Sequence, residues 1–102
     1  MGLLQKLFGP KTDFQALKDK GAILLDVRNP GEVKSAGIKA AINIPLQNLS
    51  SKEITKLKSK NKPVVCVCAS GVRSNMAKSK LKAAGIDAYN GGAWSRMKPY
   101  FG

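Results

Sequence analysis

Apolar positions along the chain follow two rhythms, one helical and one extended. Thr12-Asp13-Phe14-Gln15 reads as a capping box, with Thr12 as N-cap and Gln15 at N3, opening a helix. Its buried stripe is Phe14, Ala16 and Leu17, and Gly21 suits its end. Ala22-Ile23-Leu24-Leu25-Asp26-Val27 is apolar on both parities until Asp26, the pattern of a strand covered on both faces, and Arg28-Asn29-Pro30-Gly31 breaks it. A shorter strand is predicted over Ala41-Ile42-Asn43-Ile44. Ser50-Ser51-Lys52-Glu53 is a second capping box, whose helix sets Ile54 and Leu57 on one face and lysines on the other. After Asn61-Lys62-Pro63, the run Val64-Val65-Cys66-Val67-Cys68 is the strongest strand signal in the chain. A loop of small residues then leads into a helix using Met76, Ala77, Leu81 and Ala84, closed by Gly85. Ile86-Asp87-Ala88-Tyr89 reads as a last short strand and Asn90-Gly91-Gly92 as a turn, before a terminal helical segment with Trp94 and Met97. At the other end, residues 1–8 read as a short amphipathic turn through Leu3, Leu4, Leu7 and Phe8, stopped by Gly9-Pro10.

Strands thus alternate with helices, which implies an α/β domain: a small, mostly parallel sheet with helices on both faces. A length of 102 residues suits one core and leaves no room for two. The domain is assigned to residues 10–102, with 1–9 as a short N-terminal extension or first helical turn.

Composition narrows the chemistry. Eighteen Lys and Arg stand against six Asp and Glu, for a formal charge of +12, and there is no histidine. A Ser-His-Asp or Cys-His hydrolase, a histidine general base and a His-ligated zinc site are therefore excluded. Two cysteines in a C-x-C arrangement are too few for a structural zinc site or a disulfide framework. Covalent chemistry has to come from Cys, Ser, Lys or a carboxylate. The opening Met1–Phe8 is too short for a signal sequence, and no run of about 18 apolar residues exists to span a membrane. Free thiols without an export signal make a reducing cytoplasm the expected compartment. Lys52, Lys56, Lys58, Lys60 and Lys62 cluster around one helix and Lys78, Lys80 and Lys82 around another; they read first as solvated faces. The field of such a domain still attracts small anions, an acidic protein partner or RNA, although no basic motif interleaved with aromatics points to specific nucleic-acid reading.

In an open parallel sheet, ligands bind beyond the carboxyl ends of the strands. Two predicted strands end there in functional residue types: Asp26-Val27-Arg28, and Cys68-Ala69-Ser70-Gly71-Val72-Arg73-Ser74. A cysteine ending a buried strand, followed by small residues and a helix start, sets its sulfur among backbone N–H groups that stabilise an anion. That field lowers a thiol pKa from its usual ~8.5 and raises the thiolate fraction at neutral pH. Arg73 adds a permanent cation with forked donors. Cys66, two residues earlier on the same face, reads as core. Asp26 reads as an Asx-type turn former, and Trp94 as a cover over the core.

Four segments in order resemble the rhodanese-like sulfurtransferase family: Leu25-Asp26-Val27-Arg28-Asn29-Pro30-Gly31-Glu32, Ala41-Ile42-Asn43-Ile44-Pro45-Leu46, Cys68 to Ser74, and Asn90-Gly91-Gly92-Ala93-Trp94. The resemblance implies that Cys68 is the nucleophile that takes up a sulfane sulfur as a persulfide. Ala69, Ser70, Gly71, Val72 and Arg73 would be the substrate-binding loop, with Arg73 helping to hold a small anionic donor such as thiosulfate. Asp26, Arg28 and Ser74 would support the site, a thiol or cyanide would accept the sulfur, and neither a metal nor an organic cofactor would be needed. Cys68 to Arg73 is six residues, the sulfurtransferase length; the related dual-specificity phosphatases carry one more. The chain departs from the family at Gly37, where a histidine is usual, at Val33, where an aromatic is usual, and at Ala69, which is often basic. The competing readings are a non-catalytic module that docks an acidic protein or RNA through its basic surface, and a small cysteine phosphatase.

Overall fold

The computed structural model describes residues 11–102; the amphipathic turn expected over residues 1–8 lies outside them. Four strands run β1 (Ile23–Asp26), β2 (Ile42–Asn43), β3 (Val64–Cys68) and β4 (Ala88–Ala93). They form one all-parallel sheet in the order β2-β1-β3-β4. Five α-helices complete the described chain: α1 (Phe14–Asp19), α2 (Pro30–Ser35), α3 (Ser51–Ser59), α4 (Val72–Ala83) and α5 (Lys98–Phe101). Short 3-10 turns cover Leu46–Asn48 and Trp94–Met97.

The period-two geometry of β1 and β3 sorts their side chains into two cores. Leu25, Val27, Val64, Cys66 and Cys68 pack with Leu57 of α3 and with Ala77 and Leu81 of α4. Leu24, Val65 and Val67 point the other way, against Leu17 of α1 and Phe101 of α5. Every residue of β3 is buried, as its unbroken apolar run requires. Helices therefore cover both faces, and none of them is long and apolar enough to cross a membrane.

Several local expectations need correction. Asp13, not Thr12, caps α1: its carboxylate accepts the Ala16 N–H at 3.0 Å, so the helix starts one residue later. The segment read as a break after β1 begins a helix instead. Asn29 caps α2, Pro30 supplies a preset φ at its first position, and the Asn29 N–H donates to Glu32 Oε1 at 3.1 Å. Met76 is 55% exposed, because the buried face of α4 runs through Ser74, Ala77 and Leu81 and leaves Met76 to the side. The last strand begins later and continues through the expected turn. Cys66 pairs with Asn90 and Val67 with Gly92, which makes Gly91 the extra residue of a β-bulge. A Cβ on Gly91 would stand 2.9 Å from Val65 and Val67, so only glycine lets β4 lie this close to β3.

The chain moves outward from β1 to β2, then returns to the other side of β1 to make β3. The order reverses between β1 and β3, so their carboxyl ends, at Asp26 and Cys68, flank the crevice where ligands bind in such sheets.

Candidate active site

Cys68 ends β3 with its side chain buried, and the chain turns over it before α4 begins. Gly71 makes that turn possible with φ 104°, a left-handed conformation. The turn aims the Gly71 N–H at Cys68 Sγ at 3.0 Å, and the Ser74 N–H reaches the same sulfur at 3.4 Å. Ser74 Oγ lies 3.3 Å from it. Burial by itself pushes the thiol pKa up; the Ser74 hydroxyl and the amides of Ser74, Gly71 and Ser70 outweigh it and hold Cys68 below the usual thiol value. Cys66 has no such donors, and burial pushes its thiol up to about 12. One strand thus carries a polarised sulfur and an inert one, and both are free cysteines.

The loop is held from outside by residues of two other elements, β4 and α2. Asn90 of β4, turned by the bulge, donates from Nδ2 to the Gly71 carbonyl at 3.1 Å and accepts from the Ser74 hydroxyl at 2.7 Å. Gly92 comes so near that a Cβ on Gly71 would stand 3.4 Å from Gly92 Cα. Arg73 does not point a free fork at the sulfur. Its guanidinium is engaged by the Glu32 carboxylate of α2 at 2.8 and 3.0 Å. The pairing, together with the Asn29 amide, holds Glu32 down to about 2, and it raises the Arg73 pKa further.

Asp26 and Arg28 form a buried cluster at the carboxyl end of β1. Asp26 Oδ1 accepts the Arg28 N–H at 3.1 Å, which is the expected Asx turn. The buried Arg28 guanidinium then grips the same carboxylate at 2.8 Å and donates to the Ala36 carbonyl at 2.8 Å. Trp94 lies over it, 4.9 Å from ring centroid to guanidinium carbon. This cluster fixes the segment after β1, a supporting position. Gly37 belongs to the same arrangement: a Cβ there would stand 3.1 Å from Arg28 Nη2, so a larger side chain would press on the clamp.

Ala69, Ser70 and Val72 are exposed, Val72 at 67%. Ser70, Gly71 and Val72 form one wall of an open cleft of about 1030 Å³, whose other lining includes Lys11, Met76 and Arg96. Among the described residues Arg96 has no ion-pair partner and no carboxylate lines this cleft. Asn90, Arg96 and the Glu32 partnership were not singled out by the sequence. Arg96 lies in no motif and Asn90 only opens the Asn90-Gly91-Gly92-Ala93-Trp94 segment with no role attached to it, whereas the Asn29-Pro30-Gly31-Glu32 capping pattern would have placed Glu32 at the start of a helix.

Comparison with known proteins fits this geometry. The family model described as Rhodanese-like domain matches residues 11–94. The chain belongs to the rhodanese-like domain family. It is 34% identical over 82 residues to the thiosulfate sulfurtransferase GlpE of Pseudomonas syringae, covering 79% of this chain and 76% of that protein. It is 36% identical over 87 residues to a Schizosaccharomyces pombe protein named "Putative thiosulfate sulfurtransferase, mitochondrial", covering 72% of this chain. The match spans 61% of that relative's length and 42% of a similar Synechocystis protein. Among solved structures, a rhodanese from E. coli determined with anions superposes with a TM-score of 0.67 at 29% identity, covering 76% of this chain and 92% of that one. A rhodanese-related protein from Thermoplasma volcanium gives 0.66 at 31%, covering 83% and 85%.

Proposed function

We propose that this domain is a sulfurtransferase that moves sulfane sulfur from a small anionic donor such as thiosulfate to cyanide or a thiol, through a persulfide on Cys68. The observation that carries the reading is the sulfur itself, which receives the Gly71 and Ser74 N–H groups inside a six-residue loop. A thiolate in that cradle is stabilised yet remains a good nucleophile. The GlpE likeness supports the same chemistry.

The two half-reactions balance without a cofactor. The Cys68 thiolate attacks the outer sulfur of thiosulfate, a new S–S bond forms, the old one breaks, and sulfite leaves with the electron pair. Cyanide or a thiolate then attacks the outer sulfur of the persulfide, the Cys68 S–S bond breaks, and Cys68 departs as thiolate. Negative charge passes between the outer sulfur and Sγ in both steps, and the fixed amides of the loop are aimed where it develops.

Donor binding falls to the loop amides and to the cleft beside them. Arg96 offers the forked cation there, with Lys11 near it. Arg73, engaged by Glu32, keeps the loop in its frame and adds its field. The basic surface fits an acidic protein as a macromolecular partner, and two free thiols fit a reducing compartment.

Turnover of thiosulfate and cyanide by Cys68→Ser against the wild type tests the proposal. The variant is expected to fold normally and to lose the activity. Retention of most turnover by a well-folded variant would overturn the enzyme reading and leave the binding module.

A further inference from the structure

Ser74 Oγ stands between two groups that both want its single proton. Asn90 Oδ1 lies 2.7 Å away on one side and Cys68 Sγ 3.3 Å away on the other. The Asn90 amide cannot be turned round without loss, because Oδ1 accepts the Gly92 N–H at 2.9 Å and Nδ2 donates to the Gly71 carbonyl at 3.1 Å. Its oxygen therefore faces the hydroxyl and has to be the acceptor. With the hydroxyl proton given to Asn90, Ser74 Oγ has only lone pairs for the sulfur, which suits a thiol that donates its S–H. A thiolate has no proton to give and needs the hydroxyl to donate to it instead.

We propose that Asn90 is a positioning residue that competes with Cys68 for the Ser74 hydroxyl, so that the hydroxyl faces Asn90 while Sγ is uncharged and turns to Sγ when that atom becomes a thiolate. The inference rests on Cys68 as the nucleophile and deepens it. The turn is a rotation about the Ser74 Cβ–Oγ bond and moves no heavy atom. When a thiol ionises, its proton leaves to solvent and the hydroxyl rotates to the sulfur. When an acceptor takes the outer sulfur of a persulfide, the S–S electron pair stays on Sγ, and the same rotation meets the charge as it forms. Asn90 keeps its Gly92 donor throughout, so its oxygen is never left without a partner.

Competition predicts a direction that a merely structural asparagine does not. Removing the Asn90 acceptor frees the hydroxyl for the thiolate and makes Cys68 more acidic. If Asn90 only held the loop, its loss would loosen the amides and make Cys68 less acidic. The other charged groups around the loop are common to every comparison: Arg73 of α4 with Glu32 of α2, Arg28 with Asp26 after β1, and Arg96 after β4.

The test is the pH profile of iodoacetamide alkylation of Cys68, followed by intact mass in a Cys66→Ala background. Asn90→Ala, and Asn90→Leu as a space-filling second variant, are expected to alkylate about fivefold faster below the midpoint, the equilibrium weight of one ordinary hydrogen bond. Ser74→Ala is expected to be slower, and adding Asn90→Ala to it should change nothing more. In the protein with Asn90 intact, the NMR shift of the Asn90 side-chain carbonyl should follow the Cys68 titration as its hydroxyl donor departs. Slower or unchanged alkylation in the Asn90 variants, an Asn90 effect that persists without Ser74, or a carbonyl shift that ignores the titration would each overturn the proposal. Neither measurement uses a sulfur donor, so a protein that transferred no sulfur would still give both answers.

Discussion

Arg73 and Glu32, forty-one residues apart, close a two-pronged ion pair that straps the first turn of α4 to α2. The pair ties the end of the loop around Cys68 to the segment that Arg28 and Asp26 anchor. If its work is to frame the loop, either partner is equally necessary. Arg73→Ala and Glu32→Ala are each expected to lower kcat/KM on the order of tenfold, with the double variant little worse than either single one. Arg73→Lys should recover only part, because a point charge replaces a fork. A far larger loss in Arg73→Ala than in Glu32→Ala would mean that Arg73 meets the donor itself.

The same pair sets an acid limit. Glu32 is held from 4.5 down to about 2, chiefly by its bond to Arg73 and then by the Asn29 amide. A carboxyl depressed by folding contributes stability above its unfolded value, and that contribution is lost as pH falls between about 4.5 and 2. Thermal melts of the wild type should fall more steeply across this window than those of Glu32→Gln. Parallel curves for the two proteins would contradict the assignment.

The two cysteines should separate cleanly by reactivity. Cys68 is expected to alkylate with a midpoint below that of a free thiol, whereas Cys66, raised to about 12, should remain unlabelled in the folded protein at neutral pH. Residues two apart on a strand sit about 6.5–7 Å apart and a disulfide needs Cβ atoms about 3.5–4.5 Å apart, so the strand would have to tear for them to join. Cys66→Ala should therefore keep its turnover, with a stability loss of about 1 kcal/mol. Collapse of activity in this variant, together with a two-hydrogen mass loss on oxidation of the wild type, would point to a redox pair instead.

What could be read from the sequence divides along physical lines. The unbroken apolar run of Val64–Cys68 specified a strand buried on both sides, and the small residues after it specified a turn whose N–H groups face the Cys68 sulfur. Those features are local and depend on chemistry visible in six or seven consecutive residues. Asn90 was hidden because its importance arises from pairing across the sheet and from a bulge that only the register of β3 against β4 defines. Glu32 and Arg73 each lie within a recognisable motif, yet nothing in either segment says that they meet. Met76 falls outside the buried face because helical spacing gives a stripe without saying where its edge falls.

Arg96 is the arginine that lines the cleft itself. Arg96→Ala is expected to raise KM for thiosulfate about threefold to tenfold with a smaller change in kcat, as loss of an exposed charge-assisted contact to an anion would. Raising the salt concentration should narrow the difference between variant and wild type. An unchanged KM at low salt would move the donor's anion contact back to the loop amides alone.

If Cys68 carries the sulfur, intact mass spectrometry reads it directly. Wild-type protein incubated with thiosulfate and freed of excess donor should gain about 32 Da and lose it again on addition of cyanide. Cys66→Ala should behave in the same way, and Cys68→Ser should gain nothing. A wild type that never gains the mass, or a Cys68→Ser protein that still does, would contradict a persulfide on Cys68.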